Sequence, residues 1–178
     1  MDHKISLDLG CGNKKRPNTV GVDFNERSAA DIVHNLNISP YPFGDCSVDK
    51  IYIDNTLEHL DEPLKVMEEL YRIVKPQGIV KVIVPYFRSP AAFIDPTHKH
   101  FFTVESFAYY DSDHFICQHY DYTLARFKVE KIIFHENIQS GLIKNIMAWF
   151  ANKWPLKYEI YLSQIIPLDE VTFYLRRV

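Results

Sequence analysis

In the middle of this chain the spacing of apolar residues changes from that of a strand to that of a helix and back, and this alternation limits the folds that the chain can adopt. Residues 48–53 form a strand-like run. From Asp61 onward, apolar positions recur at helical spacing, and residues 75–78 (KPQG) end the predicted helix. Residues 79–84 are then apolar at five of six positions, as is typical of a parallel strand covered on both faces. Strand, helix and strand in this order predict an α/β fold.

Other segments have the pattern of further strands and helices. Residues 141–154 have the period of an amphipathic helix, and residues 103–106 are a second helix start. The repeated alternation predicts a Rossmann-like, doubly wound, mostly parallel sheet with helices on both faces. The remaining strands predicted from the sequence span residues 5–9, 20–22, 31–34, 127–134 and 170–177.

Length and charge restrict the function. At 178 residues and 47% hydrophobic content, the chain is expected to form a single domain over residues 1–178. Lys and Arg total 20 against 23 Asp and Glu, so no nucleic-acid partner is expected. Three cysteines without metal-ligand spacing favour a reducing compartment, and no apolar run is long enough for a transmembrane segment. We therefore expect a cytoplasmic protein.

Glycine and polar residues stand where four of the predicted strands end. They are Gly10, Asp23, Asn35 and Asn55. In an open parallel sheet, ligands bind at this edge, where the strand order reverses. Glycine lets the backbone approach a ligand, and an acidic residue after the next strand is the usual partner of two ribose hydroxyls. Each residue alone is more typical of an ordinary turn or a solvated loop, but the ordered set favours a ligand site.

Four segments of the first half also carry motifs. They are residues 7–12 (LDLGCG), 41–49 (YPFGDCSVD), 55–60 (NTLEHL) and 70–78 (LYRIVKPQG). In this order they resemble the class I S-adenosylmethionine-dependent methyltransferases, in particular a small type-11-like subgroup with a shortened first crossover. The resemblance implies a seven-stranded sheet whose last strand is antiparallel, with S-adenosylmethionine as cofactor. Residues 1–87 would form the cofactor-binding half, and residues 88–178 the substrate-facing half with the C-terminal strands.

The resemblance also implies which residues bind the cofactor. Asp23 would bind the ribose hydroxyls, and Phe24 would flank the adenine. Asn35 and Leu36 would meet the adenine edge, and Asn55 would lie near the methionine end. The full set of residues assigned to the cofactor in this way is Asp8, Gly10, Cys11, Gly12, Asp23, Phe24, Asn35, Leu36 and Asn55.

Two features depart from the family pattern. Asn13 replaces the third glycine of the first motif. Only ten residues separate Leu9 from Val20, fewer than the dozen or so that a crossover between parallel strands normally needs. Residues 14–17 therefore form little more than one turn, and we expect a pocket that is more open than usual.

A histidine-rich segment, residues 95–103 (DPTHKHFFT), follows the predicted fifth strand. His98 and His100 are the candidate catalytic bases, because an imidazole pKa of about 6.5 suits proton transfer at neutral pH. A structural or loop-capping role is the main alternative. The spacing supplies no converging ligand set, so no metal is predicted. Tyr86 and Arg88 are the candidate substrate contacts.

The predicted C-terminal helix carries a broad apolar face. We expect it to pack on the sheet, although a lid over the acceptor, a homodimer surface and contact with a membrane surface are alternatives. The residues of this face are Leu142, Ile143, Ile146, Met147, Trp149, Phe150 and Trp154.

Taken together, the motifs predict an enzyme that transfers a methyl group from S-adenosylmethionine to a small-molecule or carbohydrate-type acceptor by direct displacement. A non-catalytic module that binds S-adenosylmethionine or S-adenosylhomocysteine is the alternative, motivated by Asn13 and by the short first crossover. A homodimer stays open as a partner.

Overall fold

The computed structural model describes residues 4–136, 138 and 140–178, and most of these residues surround one seven-stranded sheet. In chain order the strands are β1 Ser6–Leu9, β2 Val20–Asp23, β3 Ile32–Val33, β4 Val48–Asp54, β5 Val74–Pro85, β6 Phe127–Phe134 and β7 Glu170–Arg177. Their order across the sheet is β3-β2-β1-β4-β5-β7-β6. Neighbouring strands are parallel except that β7 is antiparallel to both β5 and β6. The predicted fold, including its antiparallel last strand, is confirmed.

Helices and short helical turns connect the strands from β4 onward. The first helix begins at Pro63 rather than at Asp61, since proline suits the first helical turn. Residues 104–107 form turns where a helix start was expected at residues 103–106. None of the helices in the described part of the chain is long and apolar enough to cross a membrane. The α-helices are α1 Pro63–Ile73, α2 Ala91–Ile94, α3 Phe115–Tyr120, α4 Leu142–Lys153 and α5 Pro155–Lys157.

Strand β5 is longer than its apolar run indicated. It begins at Val74, which pairs with Val48, and the next pair joins Ile79 to Lys50. Residues 75–78, predicted as the turn after the helix, therefore lie in a bulge within the strand. Gln77 takes a positive φ of 66° in this bulge, so the bend is made inside the sheet rather than in a separate loop.

One polar residue interrupts the apolar run of β5. Lys81 is buried, yet its ammonium group forms an ion pair with Glu136 and lies 5.3 Å from the centre of the Tyr174 ring. A buried ammonium group is costly unless it is paired. The carboxylate and the aromatic face supply that compensation, so β5 remains a central strand despite its charge.

The connection from β1 to β2 is held by polar contacts in place of a helix. In this fully described part of the chain, no helix lies between β1 and β4. The Lys15 ammonium lies 2.7 Å from Asp31. The Arg16 backbone N–H donates to Asp8 at 2.7 Å, and its guanidinium pairs with Asp54 at the end of β4. The short crossover expected from the sequence is confirmed, and these ion pairs fasten it to the neighbouring strands.

Helix α4 packs chiefly through its small residues and exposes much of its broad apolar face. It buries Ala148 and Ala151. The Asn152 side chain accepts a hydrogen bond from the Phe134 backbone N–H at 2.6 Å. The expectation that this helix packs on the sheet is confirmed, and Met147 and Phe150 of the predicted face are partly buried against the core. The rest of the bulky face does not cover the sheet, because alanine allows the helix to approach closely. The bulky side chains that remain exposed on α4 are Leu142, Ile143, Ile146 and Trp149.

The contacts of Arg16 predict that replacing it destabilises the protein more than replacing the neighbouring cation Lys14. Arg16→Met leaves the carboxylates of Asp8 and Asp54 without their counter-charge, and we expect it to lower the free energy of unfolding by roughly 1–3 kcal/mol. Lys14→Met, on the exposed side of the same connection, is the matched control and should change it little. Urea denaturation at neutral pH measures both, and equal stability of the two variants would contradict the assignment.

Candidate active site

The strand order reverses between β1 and β4, and a cavity of about 720 Å³ opens there. This volume lies in the range of small-molecule sites. The cavity, which we call the larger cavity, is bordered by the segments that follow the first four strands and by the segment after α2. Its lining residues are Gly10, Asp23, Phe24, Asn35, Leu36, Asn37, Thr56, His59, Leu60, Pro96, Thr97 and Lys99.

The carboxylate of Asp23 organises the turn after β1. Its Oδ2 accepts the Gly12 N–H at 2.9 Å, and its Oδ1 accepts the Asn25 N–H at 2.9 Å. The Gly10 N–H donates to the Val22 carbonyl at 2.8 Å, which joins the same turn to β2. Each carboxylate oxygen keeps further acceptor capacity. Asp23 therefore fixes the loop and still offers oxygen atoms to hydroxyl groups in the larger cavity.

Gly10 lies closer to a neighbouring segment than any other residue type allows. Its φ is +71°, and a Cβ placed there would lie 2.2 Å from the Thr56 Oγ1. Thr56 follows β4, the strand on the other side of the reversal. The missing side chain thus lets the segments after β1 and β4 meet at the edge of the larger cavity.

Apolar side chains form one wall of the larger cavity. Leu36 is buried, whereas the Phe24 ring is 75% exposed. An exposed aromatic ring beside a cavity is a surface that a planar ligand can cover. Both residues line the larger cavity, and their contact with an adenine stays a prediction of the sequence resemblance.

Three of the predicted cofactor residues do not line the larger cavity. Burial raises the pKa of Asp8, although the Arg16 N–H and guanidinium oppose the rise. Burial, and next the charge of Asp23, raises the pKa of the Cys11 thiol. Gly12 contributes its N–H to Asp23. In this structure these residues support the turn and are not part of the cavity lining.

A smaller cavity of about 380 Å³ adjoins the larger one, and His59 lines both. Two predicted site residues, Asn55 and His98, lie here and not in the larger cavity. The smaller cavity is lined by Asn55, Glu58, His59, Pro85, Ala91, Asp95, His98, Ile138, Asp169 and Glu170.

Glu58 is the residue that the sequence did not single out. Its side chain is 1% exposed, and among the described residues neither carboxylate oxygen has a hydrogen-bond partner. Burial raises the pKa of the Glu58 carboxyl to about 7. His98 Nε2 lies 4.0 Å from Oε1, too far for a hydrogen bond. The sequence signal was an acid and a histidine directly after a strand, and only the fold places them against residues 95–98.

The two candidate histidines have different surroundings. His98 Nδ1 lies 2.9 Å from the Ala92 carbonyl oxygen, and the ring lines the smaller cavity. His100 Nε2 lies 2.9 Å from the Leu60 carbonyl oxygen. The backbone N–H groups of Lys99 and His100 both donate to the Glu58 carbonyl, at 2.8 and 3.2 Å. His100 therefore fastens this segment to the turn after β4, outside the lining of both cavities.

The predicted substrate contacts Tyr86 and Arg88 also lie outside both linings. Tyr86 is fully buried, and its ring centre is 5.0 Å from that of Phe134 and 6.1 Å from that of Tyr158. Arg88 is exposed with its guanidinium 4.9 Å from the Phe87 ring. Tyr86 was chosen because it follows the fifth strand, but the C-terminal elements cover it.

Comparison with known proteins gives a family model and a fold. Residues 7–82 match the model of a methyltransferase domain. A S-adenosylmethionine-dependent methyltransferase from Archaeoglobus fulgidus superposes with a TM-score of 0.64 at 20% identity, covering 99% of this chain and 87% of that one. A comparison with curated protein sequences found no match.

Two further structures show how widely this fold is used. A putative methyltransferase from Haloferax volcanii, solved in complex with the activator Trm112, has a TM-score of 0.57 at 16% identity and covers 99% of this chain and 84% of that one. A [4+2]-cyclase has a TM-score of 0.56 at 17% identity and covers 99% and 76%. At such identities the likeness establishes the fold, and the chemistry depends on the site.

The contact between Gly10 and Thr56 predicts a difference between two glycines. Gly10→Ala and Gly12→Ala share the strain of a positive φ, about 1–2 kcal/mol, but a Cβ at Gly12 meets nothing within 4 Å. We therefore expect Gly10→Ala to lower the melting temperature more. Adding Thr56→Ala removes the two closest atoms and should recover part of that loss. Equal melting temperatures for both glycine variants would contradict the close approach.

Proposed function

We propose that this enzyme methylates a small-molecule or carbohydrate-type acceptor by direct displacement, since residues 7–82 match the methyltransferase domain model and the chain has the fold of S-adenosylmethionine-dependent methyltransferases. S-adenosylmethionine supplies an activated methyl group on its sulfonium sulfur. The protein has to hold this cofactor, place the acceptor against the methyl group and exclude water. The observation that carries the proposal is the larger cavity at the reversal of strand order.

The residues of the larger cavity fit this cofactor. Gly10 brings the backbone to the cavity edge without a side chain. Asp23 offers carboxylate oxygens, which suit the two ribose hydroxyls. Phe24 and Leu36 supply an apolar surface suited to the adenine, and Asn35 supplies an amide for its polar edge. This arrangement supports the roles that the sequence resemblance implies for these residues.

The smaller cavity is the proposed acceptor site. It adjoins the larger cavity through His59 and contains Asn55, the residue proposed to lie near the methionine end. Its volume of about 380 Å³ suits a small molecule or one sugar-sized group rather than a macromolecule. Polar lining by Asp95, Asp169 and Glu170 favours an acceptor that carries hydroxyl groups. Holding such a group against the methyl group accounts for much of the acceleration in a displacement of this kind.

The binding role of Asp23 can be tested directly. We expect Asp23→Ala to weaken the binding of S-adenosylmethionine by about tenfold or more, or ~1.4 kcal/mol, because the ribose hydroxyls lose a carboxylate partner. Asp31→Ala is the matched control: Asp31 also accepts a backbone N–H of this region, from Gly21 at 2.8 Å, but lies outside the cavity lining. Isothermal titration calorimetry measures both, and equal losses would show that Asp23 acts only on the loop.

Turnover is tested by an acceptor screen that follows the release of S-adenosylhomocysteine. We expect release with hydroxyl-bearing small molecules or sugars and none with DNA or RNA. Release that depends on nucleic acid would overturn the acceptor class. Tight binding of S-adenosylmethionine and S-adenosylhomocysteine without release from any acceptor would instead favour the non-catalytic binding module.

A further inference from the structure

The smaller cavity contains a cluster of one acidic side chain and two histidines. A methyl transfer that depends only on positioning does not require such a cluster. Glu58, His59 and His98 each offer one ligating atom, and these three atoms lie within 4.8 Å of one another. The turn after β4 supplies the first two, and the segment after α2 supplies His98. We propose that these three side chains bind a divalent transition-metal ion. The spacing in the sequence gave no such convergence, and the fold supplies it.

The hydrogen bonds of His98 leave one nitrogen free for an ion. A carbonyl oxygen only accepts, so the Ala92 carbonyl, 2.9 Å away, requires a proton on His98 Nδ1. In the neutral imidazole, Nε2 then carries the lone pair, and this is the atom that lies 4.0 Å from the Glu58 carboxylate. Metal-binding histidines are almost always oriented in this way by an acceptor on the other nitrogen.

His59 is oriented by a chain of two hydrogen bonds. The Thr97 hydroxyl donates to Asp95 Oδ1 at 2.6 Å, so its oxygen is left to accept from His59 Nδ1 at 2.9 Å. The proton of His59 is thereby placed on Nδ1, and Nε2 keeps the lone pair. Both histidines of the cluster thus have the tautomer that leaves Nε2 available for coordination.

Glu58 supplies the negative charge that such an ion needs. A buried carboxylate without hydrogen bonds is costly in a folded protein, and Glu58 has none among the described residues. The nearest cationic candidate, His98 Nε2, is too distant to bond it. A bound cation would compensate both oxygens. Asp95 and Glu170, which line the same cavity, add to the negative surroundings.

The ligand set selects the class of ion. Two imidazoles with one carboxylate suit the series from Mn²⁺ to Zn²⁺, whereas Ca²⁺ and Mg²⁺ prefer oxygen ligands. Nitrogen and oxygen ligands at about 2.0–2.2 Å from Zn²⁺ lie roughly 3–3.5 Å apart, so the three side chains have to draw together by about 1 Å. Three protein ligands leave a coordination position open, as in catalytic rather than structural sites.

The open position gives the ion a role that rests on the proposed methyl transfer. His59 separates the smaller cavity from the larger one and lines both. The ion would hold a hydroxyl oxygen of the acceptor next to the proposed cofactor cavity and would ease the loss of its proton to solvent. That oxygen would then bond to the methyl carbon as the bond from this carbon to the sulfonium sulfur breaks, and S-adenosylhomocysteine would leave. His98 then acts through the ion instead of as a free base. The acceptor class narrows to hydroxyl-bearing molecules that can coordinate a metal.

Metal binding is measured on untagged full-length protein that has been stripped with a chelator and dialysed. We expect Co²⁺ to bind with a single equivalent per chain and to give visible absorption bands, and calorimetry to show one Zn²⁺ site. Glu58→Gln and His98→Ala should each weaken binding by about tenfold or more, while the exposed His119→Ala should leave it unchanged. Glu58→Gln keeps the side-chain size, so it remains informative if His98→Ala fails to fold.

The outcomes separate the metal site from the methyl transfer. Absence of Co²⁺ and Zn²⁺ binding, or equal affinity in wild type, Glu58→Gln and His119→Ala, would overturn the metal site. S-adenosylmethionine binding is titrated in the same preparations and should be retained by Glu58→Gln. If the wild-type protein binds Co²⁺ but does not bind S-adenosylmethionine, the proposed function is overturned and the metal site is not. With a working acceptor, product release should fall on chelation and return with Co²⁺.

Discussion

The contact of Arg16 with two carboxylates holds the edge of the sheet on which the site depends. Asp8 in β1 and Asp54 at the end of β4 belong to the two strands between which the order reverses. Arg16 reaches both from the connection to β2, and its guanidinium lies 4.6 Å from the Tyr52 ring. A crossover helix would normally cover these strands. Here the Arg16 guanidinium and its backbone N–H bind the two carboxylates instead, and the loops after β1 and β4 can border a cavity.

The segment after α2 takes part in both adjoining cavities. It contributes Pro96, Thr97 and Lys99 to the lining of the larger cavity. The same segment brings His98 against Glu58 in the smaller cavity. The backbone N–H groups of Lys99 and His100 attach this segment by donating hydrogen bonds to the Glu58 carbonyl, and the His100 imidazole contacts the Leu60 carbonyl oxygen. The same segment therefore supplies lining residues to both cavities.

The histidine-rich segment illustrates why the sequence gave only part of the site. Its position after the fifth strand indicated a functional role, and His98 does line a cavity. His100, two residues away, faces a backbone carbonyl instead. Which histidine enters the cavity depends on the path of the loop, and that path is set by long-range bonds to the turn after β4. Tyr86, predicted to contact the substrate, is buried for a related reason. Phe134 and Tyr158, which lie beside it, come from much later in the chain.

Local patterns in the sequence determined the strands, the mostly parallel sheet, the glycine turn at Gly10 and the carboxylate at Asp23. Each of these follows from residue type and spacing within a few positions. The tertiary structure alone decided that α4 exposes its bulky face, that Thr56 lies against Gly10, and that Glu58, His59 and His98 converge. These outcomes join segments tens of residues apart, and burial and partner geometry, which spacing does not encode, select them.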